Sequence, residues 1–128
     1  MKTVFGILFA LAFAAPVLAD PVNTTVNTDP SKTVTVKKGQ EFLIALPSNP
    51  STGYSWTARP SNADVSVFGS AFQRNPVGRT IVGAGGEQIW VLEATQIGTA
   101  KVVFSYSRPW LKNTLPARTQ SFTIKITR

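Results

Sequence analysis

Few side chains in this chain can do covalent or metal chemistry. Its 128 residues include no Cys and no His, which excludes a thiol nucleophile, a Ser-His-Asp triad, a disulfide framework and any Cys/His metal site. The acid–base groups that remain are six Asp and Glu residues, none paired in sequence. An enzyme would have to use scattered carboxylates or a Ser-Lys pair. We therefore expect a protein with no catalytic residue, metal or cofactor, which acts by binding.

Three short segments have compositions typical of binding loops. Loop 1 (residues 49–54) has the sequence NPSTGY, loop 2 (83–86) is GAGG, and loop 3 (108–110) is RPW. An ordinary turn would also explain the Asn-Pro step and Gly53, and a flexible connection would explain the glycines of loop 2. Loop 2 is not a phosphate-binding loop, because neither a Lys nor a helix follows it. Trp110 is either a binding anchor or a cap on the end of the core.

The elements that must position these loops are strands. From Lys32 onward, hydrophobic residues alternate with polar or smaller ones, which is the pattern of half-buried strands. Strands are predicted at about 32–37, 41–46, 53–58, 65–68, 87–95, 99–107 and 119–127, with turn residues between them. This spacing predicts an all-β sandwich or small barrel. Trp56 on the third strand is similar to the core Trp of immunoglobulin-like domains, and Trp90 lies in an apolar strand, so both are predicted core residues.

Strand order decides where the three loops lie. In an antiparallel sandwich successive strands reverse direction, so successive connections alternate between the two ends. Loop 1 follows the second predicted strand, loop 2 the fourth and loop 3 the sixth, which places all three at the same end. A single extra strand between Ala71 and Val82 would break this alternation, whereas an added hairpin would preserve it.

The three motifs, in this order on a small all-β domain, resemble the chagasin-type inhibitors of papain-like cysteine proteases. The matching residues are Asn-Pro-x-Thr-Gly-aromatic, then Gly-x-Gly-Gly, then Arg-Pro-Trp, and the resemblance runs from about Thr33 to the C-terminus. Each motif alone is weak evidence, but the three together at these positions are specific. One departure is Ser51, where the best-known members have a second Thr. Because Ser keeps the hydroxyl, we expect a shift in affinity and no loss of activity.

The resemblance implies the fold, the partner and the site. The implied fold is an immunoglobulin-like sandwich of seven to eight antiparallel strands. The implied function is that of a monomeric, reversible, non-covalent, competitive inhibitor that occludes the cleft of a papain-type or cathepsin L- or B-type protease. Loop 1 would enter the cleft with Ser51 and Thr52 at the catalytic pair, loop 2 would lie along the cleft, and Trp110 would pack on the other side. The implied protease-binding residues are Asn49, Pro50, Ser51, Thr52, Gly53, Tyr54, Gly83, Ala84, Gly85, Gly86, Arg108, Pro109 and Trp110.

Two other binding functions are considered, one from the basic charge and one from the aromatic residues. The 13 Lys and Arg against 6 Asp and Glu give a formal net charge of +7, which could attract nucleic acid. Lys37-Lys38 is the only adjacent pair of cations, however, and scattered cations are typical of a solvated surface, so we expect no nucleic-acid partner. The remaining alternative is a secreted immunoglobulin-like adhesion or carbohydrate-binding module that stacks sugars on Tyr54, Trp90 and Trp110. A core position for Trp90 would weaken that alternative.

The N-terminal segment has the layout of a secretory signal. Lys2 precedes an apolar stretch from Val4 to Leu18, with a small residue at Ala19. The stretch is too short for a stable membrane span and is interrupted by Pro16. We predict a signal peptide at 1–19, a flexible arm at 20–31 and the inhibitor domain at 32–128. The mature protein would be secreted or periplasmic and free of the membrane, and the Asn23 sequon would matter only in a eukaryotic secretory pathway.

Overall fold

In the part of the chain that the structure describes, eight strands form two four-stranded sheets. The computed structural model describes residues 25–74 and 85–128. The strands are β1 (Val26–Asn27), β2 (Val34–Lys37), β3 (Glu41–Ser48), β4 (Ser55–Pro60), β5 (Val65–Arg74), β6 (Gly86–Ala94), β7 (Gly98–Ser107) and β8 (Arg118–Thr127). Sheet A has the order β1-β3-β6-β5, and sheet B has the order β2-β8-β7-β4. The predicted all-β sandwich is confirmed, and the described ranges contain no helix long and apolar enough to cross a membrane.

Each of the seven predicted strands coincides with one of β2 to β8. The largest difference is in β5, which was predicted to end near 68 but runs to Arg74 and pairs with β6 along its length. A bulge between Val67 and Gly69 shifts the register, which explains why the alternating pattern is lost there. Because Arg74 pairs with Gly86 in an antiparallel ladder, the alternation of ends that the strand order predicts is preserved. Residues 75–84 lie outside the described ranges.

Two expectations need correction. Not all strands are antiparallel, because β1 pairs with β3 and β2 pairs with β8 in parallel. Neither pair is consecutive along the chain, so no hairpin forces them to be antiparallel. The described part of the predicted flexible arm is also not wholly loose. Val26 and Asn27 pair with Leu43 and Ile44, and Asn27 Nδ2 donates to the Leu43 carbonyl at 2.8 Å. A two-residue strand is too short to show a hydrophobic period.

The core lies between the sheets and comes from the alternating positions. Each strand of either sheet except β1 contributes buried hydrophobic residues to it, and Phe104 meets Phe122 edge to face at 5.7 Å between ring centroids. Full burial of one such side chain stabilises the fold by about 1.5–3 kcal/mol. Because the chain has no Cys, packing of the core stabilises the fold without a disulfide. Both predicted core Trp residues are buried, Trp90 with 8% of its surface exposed.

Side-chain hydrogen bonds connect the two sheets near the end where the loops lie. The Gln88 side chain on β6 accepts from Trp56 N at 3.0 Å and donates to Trp56 O at 3.3 Å, which joins it to β4. Gln88 Nε2 also donates to Ser70 Oγ on β5 at 2.9 Å. Trp56 Nε1 donates to Pro47 O on β3 at 2.8 Å. The starts of β4 and β6 and the end of β3 are therefore held at a defined separation.

Candidate functional site

Loop 1 is a short 3-10 turn that its own sequence specifies. The turn spans Pro50–Thr52, and the Asn49 side chain caps its start by accepting from Ser51 N at 3.3 Å and Ser51 Oγ at 2.6 Å. Thr52 N and Oγ1 donate to Asn49 O at 3.1 and 2.7 Å, and Gly53 N donates to Pro50 O at 3.0 Å. Asn at the cap and Pro in the first turn are what such a turn favours. These hydrogen bonds favour the turned conformation of loop 1 in the absence of a partner.

Gly53 ends the turn and is required there for two reasons. Its φ of +83° lies in the left-handed region, which residues other than Gly rarely adopt. A Cβ at this position would also collide with Trp110 Cη2 and lie 3.2 Å from Trp110 Cζ2. The missing side chain therefore leaves the space that the Trp110 ring occupies.

A stack of aromatic rings supports loop 1 from below. Tyr54 stacks on Tyr106 with 5.2 Å between ring centroids, and the Trp56 ring centroid lies 4.8 Å from that of Tyr106. The Tyr106 hydroxyl accepts a hydrogen bond from Asn49 N at 3.1 Å. Tyr106 shares the inward face of β7 with Phe104, so the hydrophobic pattern predicted only a core residue. The signal that could have revealed its role is a phenol at the end of a core stripe, which needs a hydrogen-bond partner.

Loop 3 packs against the end of loop 1. Arg108 Nε donates to Thr52 O at 3.2 Å, and its guanidinium lies 4.7 Å from the centroid of the Tyr54 ring, a favourable cation–π distance. Trp110 remains 63% exposed while the tip of its indole contacts Gly53. Of the two interpretations of Trp110, the structure excludes the cap on the core, because a capping ring would be buried.

Loop 2 approaches the start of loop 1. Gly86 pairs with Ser48 across the β3–β6 ladder, and a Cβ on Gly85 would lie 3.0 Å from Ser48 O and 3.7 Å from Asn49 Cβ. A Cβ on Gly86 would collide with the backbone of Gln73. These two glycines are therefore needed for backbone to pass close to backbone. Gly83 and Ala84, the other predicted residues of loop 2, lie outside the described residues.

The predicted site residues that the structure describes therefore lie together at one end of the sandwich. Loop 1 is in the middle, with Gly85 beside its first residue and Arg108 and Trp110 beside its second half. A shallow groove of about 260 Å³ is lined by residues of loops 1 and 2 and by Arg118, whose guanidinium lies 5.6 Å from the Trp56 ring centroid. In the described ranges no group of three or more acidic side chains could hold a metal ion. The chemistry available here is recognition by turns, aromatic faces and two cations.

Comparison with known protein families identifies the family of this chain. The family model of the chagasin family peptidase inhibitors, I42, matches residues 35–126. The chain belongs to this family. It is therefore an inhibitor of papain-like cysteine proteases and not an enzyme. As Trp90 is buried, the stacking platform of the alternative carbohydrate-binding module is also incomplete.

Individual relatives agree with this membership. Amoebiasin-1 of Entamoeba histolytica is 34% identical over 94 residues, which cover 73% of this chain and 87% of that protein. Chagasin of Trypanosoma cruzi is 33% identical over 81 residues, covering 61% of this chain and 74% of chagasin. The crystal structure of EhICP2, a cysteine protease inhibitor from Entamoeba histolytica, superposes with a TM-score of 0.66 at 26% identity and covers 79% of this chain and 93% of that one. Fold and sequence thus agree on the family.

Proposed function

We propose that this end of the sandwich is the protease-binding surface, with loop 1 as a wedge that enters the active-site cleft and loops 2 and 3 on its two sides. The observation that carries this proposal is the position of loop 1, which lies against loop 2 at Asn49 and against loop 3 from Thr52 to Tyr54. A wedge whose turn is already formed loses little conformational entropy on docking. Inhibition is then reversible, non-covalent and competitive.

The internal hydrogen bonds of loop 1 also explain why the protease would not cleave it. A papain-like enzyme attacks a carbonyl presented by an extended substrate strand. The Asn49 and Pro50 carbonyls accept hydrogen bonds from within the turn, and Thr52 O accepts from Arg108. A turned backbone with engaged carbonyls does not match the substrate geometry. Incubation with active papain should leave the inhibitor intact by mass spectrometry.

The direct test is to titrate papain and a cathepsin L-like enzyme with the protein comprising residues 20–128. We expect loss of peptidase activity that substrate competes away and that dilution restores. No loss of activity at micromolar inhibitor would refute the proposal.

The contribution of the loops is tested by Trp110→Ala and Thr52→Ala. Truncation of a central anchor typically costs about 2 kcal/mol or more, or roughly 30-fold in the inhibition constant. Phe68→Ala is the matched control, because Phe68 is also an exposed aromatic residue but lies on β5. If neither Trp110→Ala nor Thr52→Ala weakens inhibition, the loop assignment is wrong even though the family is not.

We also propose that the chain is exported, with residues 1–19 removed as a signal peptide. The support is the apolar stretch between Lys2 and Ala19, which has the organisation of a secretory signal. N-terminal sequencing of the protein recovered outside the cytoplasm should begin at Asp20. Recovery of the full-length chain in the cytoplasm alone would contradict this proposal.

A further inference from the structure

The connection that follows loop 3 displays more apolar surface than a solvated turn needs. In the described part of the chain seven large hydrophobic side chains are exposed, and three of them lie within residues 110–115. Leu115 is 88% exposed and Leu111 45%, next to Trp110. Single exposed hydrophobic residues are ordinary, but a group on one ordered loop marks an interaction surface.

Backbone hydrogen bonds fix both ends of this connection. Leu111 N donates to Arg108 O at 3.0 Å, which forms a turn directly after loop 3. Ala117 N donates to Tyr106 O at 2.8 Å and closes the base of the connection where β8 begins. Asn113 has a φ of +63°, a left-handed conformation that Asn tolerates better than most residues. The two leucines are therefore presented by an ordered backbone.

The leucines are continuous with the proposed protease-binding surface. A shallow cavity of about 120 Å³ is lined by both leucines and also by Tyr54 and Arg108. The Tyr54 ring and the Arg108 side chain, which contact loop 3 and loop 1, thus share this cavity with the leucines. A protease seated on loop 1 and Trp110 would have its adjoining surface directly over it.

Charge indicates the kind of surface that fits here. Arg108 lines the same cavity and Lys112 follows Leu111 on the connection, while from residue 94 to the C-terminus the chain contains no Asp or Glu. An apolar contact with cations beside it is complementary to an apolar depression bordered by carboxylates. The occupant that meets both conditions is the surface of the bound protease beyond its cleft.

We infer that Leu111 and Leu115, with Lys112, form a second contact surface that selects among papain-like proteases, favouring enzymes with an apolar depression bordered by carboxylates next to the cleft on the Trp110 side. The inference rests on the proposed function, because it requires loops 1 and 3 to seat the protease. Loop 1 contacts the cleft that all such enzymes share, whereas the two leucines contact a part of the surface that varies between them. Specificity then comes from outside the three motifs.

The test measures inhibition constants of Leu115→Ser and Leu111→Ser against papain, cathepsin L and cathepsin B. We expect a loss of about tenfold or more for at least one enzyme and a smaller loss for another, so that the order of preference changes. Ile97→Ser is the matched control, since Ile97 is 53% exposed but precedes β7 at the opposite end of the sandwich. Lys112→Gln should slow association, most strongly at low salt.

The outcomes separate this inference from the proposed function. If the unaltered protein inhibits none of the enzymes, the proposed function fails. If it inhibits them and neither leucine variant changes any constant, or if both variants weaken all three enzymes equally, the selectivity surface is refuted and the proposed function stands. A dimer of the unaltered protein that either variant converts to a monomer would also refute it, because the leucines would then contact a second copy.

Discussion

The most informative single change is Gly53→Ala, because Gly53 connects the turn of loop 1 to the position of Trp110. The added methyl group meets two obstacles. The backbone has a φ of +83°, and Trp110 Cη2 occupies the space into which the methyl would project. Neither obstacle involves the core, so the variant should fold and differ from the unaltered protein mainly at the site.

The expected loss can be worked out from these two contributions. In the free variant the loop relaxes away from the left-handed conformation, and returning the Ala to it on binding costs about 1–2 kcal/mol. Displacing Trp110 removes an anchor contact of about 2 kcal/mol, so the sum is about 3–4 kcal/mol, or roughly 150- to 900-fold in the inhibition constant. Because contributions of neighbouring residues are not additive, about 30-fold, the Trp110 contribution alone, is the lower limit.

The assay is a titration of papain with Gly53→Ala, alongside Gly39→Ala as the matched control. Gly39 has a φ of +86° with no atom within 4 Å of its added Cβ, and it lies in the β2–β3 turn at the opposite end of the sandwich. Gly39→Ala should therefore lower the free energy of unfolding by about 1–2 kcal/mol and leave inhibition unchanged. Repeating Gly53→Ala in a Trp110→Ala background should leave only the backbone cost, about 5- to 30-fold. Unchanged inhibition by Gly53→Ala, or an equal loss in Gly39→Ala, would refute the reasoning.

Two further predictions concern the same end of the molecule. Tyr106→Phe keeps the ring stack but removes the acceptor of Asn49 N, so it should cost about 1 kcal/mol of stability and weaken inhibition by up to about fivefold. Ile126→Val, a core change at the opposite end, is the control, because it should lower stability by a similar 0.5–1.5 kcal/mol without weakening inhibition. If Ile126→Val weakened inhibition as much as Tyr106→Phe, Tyr106 would act only through stability. Ser51→Cys, prepared as its mixed disulfide with glutathione, should form a disulfide-linked complex with an active papain-like enzyme if loop 1 reaches the catalytic thiolate. The thiolate then attacks the introduced sulfur and releases glutathione thiolate, and the complex is visible on a non-reducing gel. Ser121→Cys, exposed on β8, should form none, and absence of the complex with Ser51→Cys would count against the position of loop 1.

Alternation of hydrophobic residues predicted β2 to β8 well, because each of these strands buries one face against the other sheet. The pattern could not predict β1, whose two residues are too few for a period, or the parallel pairing of β2 with β8. Pairing direction depends on which strands meet in space, and the local sequence of an edge strand carries little of that information. The second half of β5 was missed for a different reason. The bulge near Gly69 adds one residue, which reverses the alternation of inward and outward side chains.

The site was predictable where local chemistry determines it. Asn49, Pro50 and Gly53 are typical turn residues, and the alternation of connections placed loops 1 to 3 at one end without any knowledge of contacts. The support beneath loop 1 was not predictable, because Tyr106 follows the same alternation as Phe104 and differs only by a hydroxyl whose partner is 57 residues away. The close fit of Trp110 on Gly53 likewise depends on tertiary structure.

Loop 1 is the crossover from sheet A to sheet B, while loop 2 leads into sheet A and loop 3 extends from sheet B. Face-to-face sheets pack about 10 Å apart, so the thickness of the core fixes the distance between the two flanks of the wedge. Under the proposed function, the spacing of the two sheets therefore determines the width of protease cleft that the three loops fit. A substitution that thickened the core near Leu46 or Trp56 would change that width without altering any residue on the surface of the inhibitor.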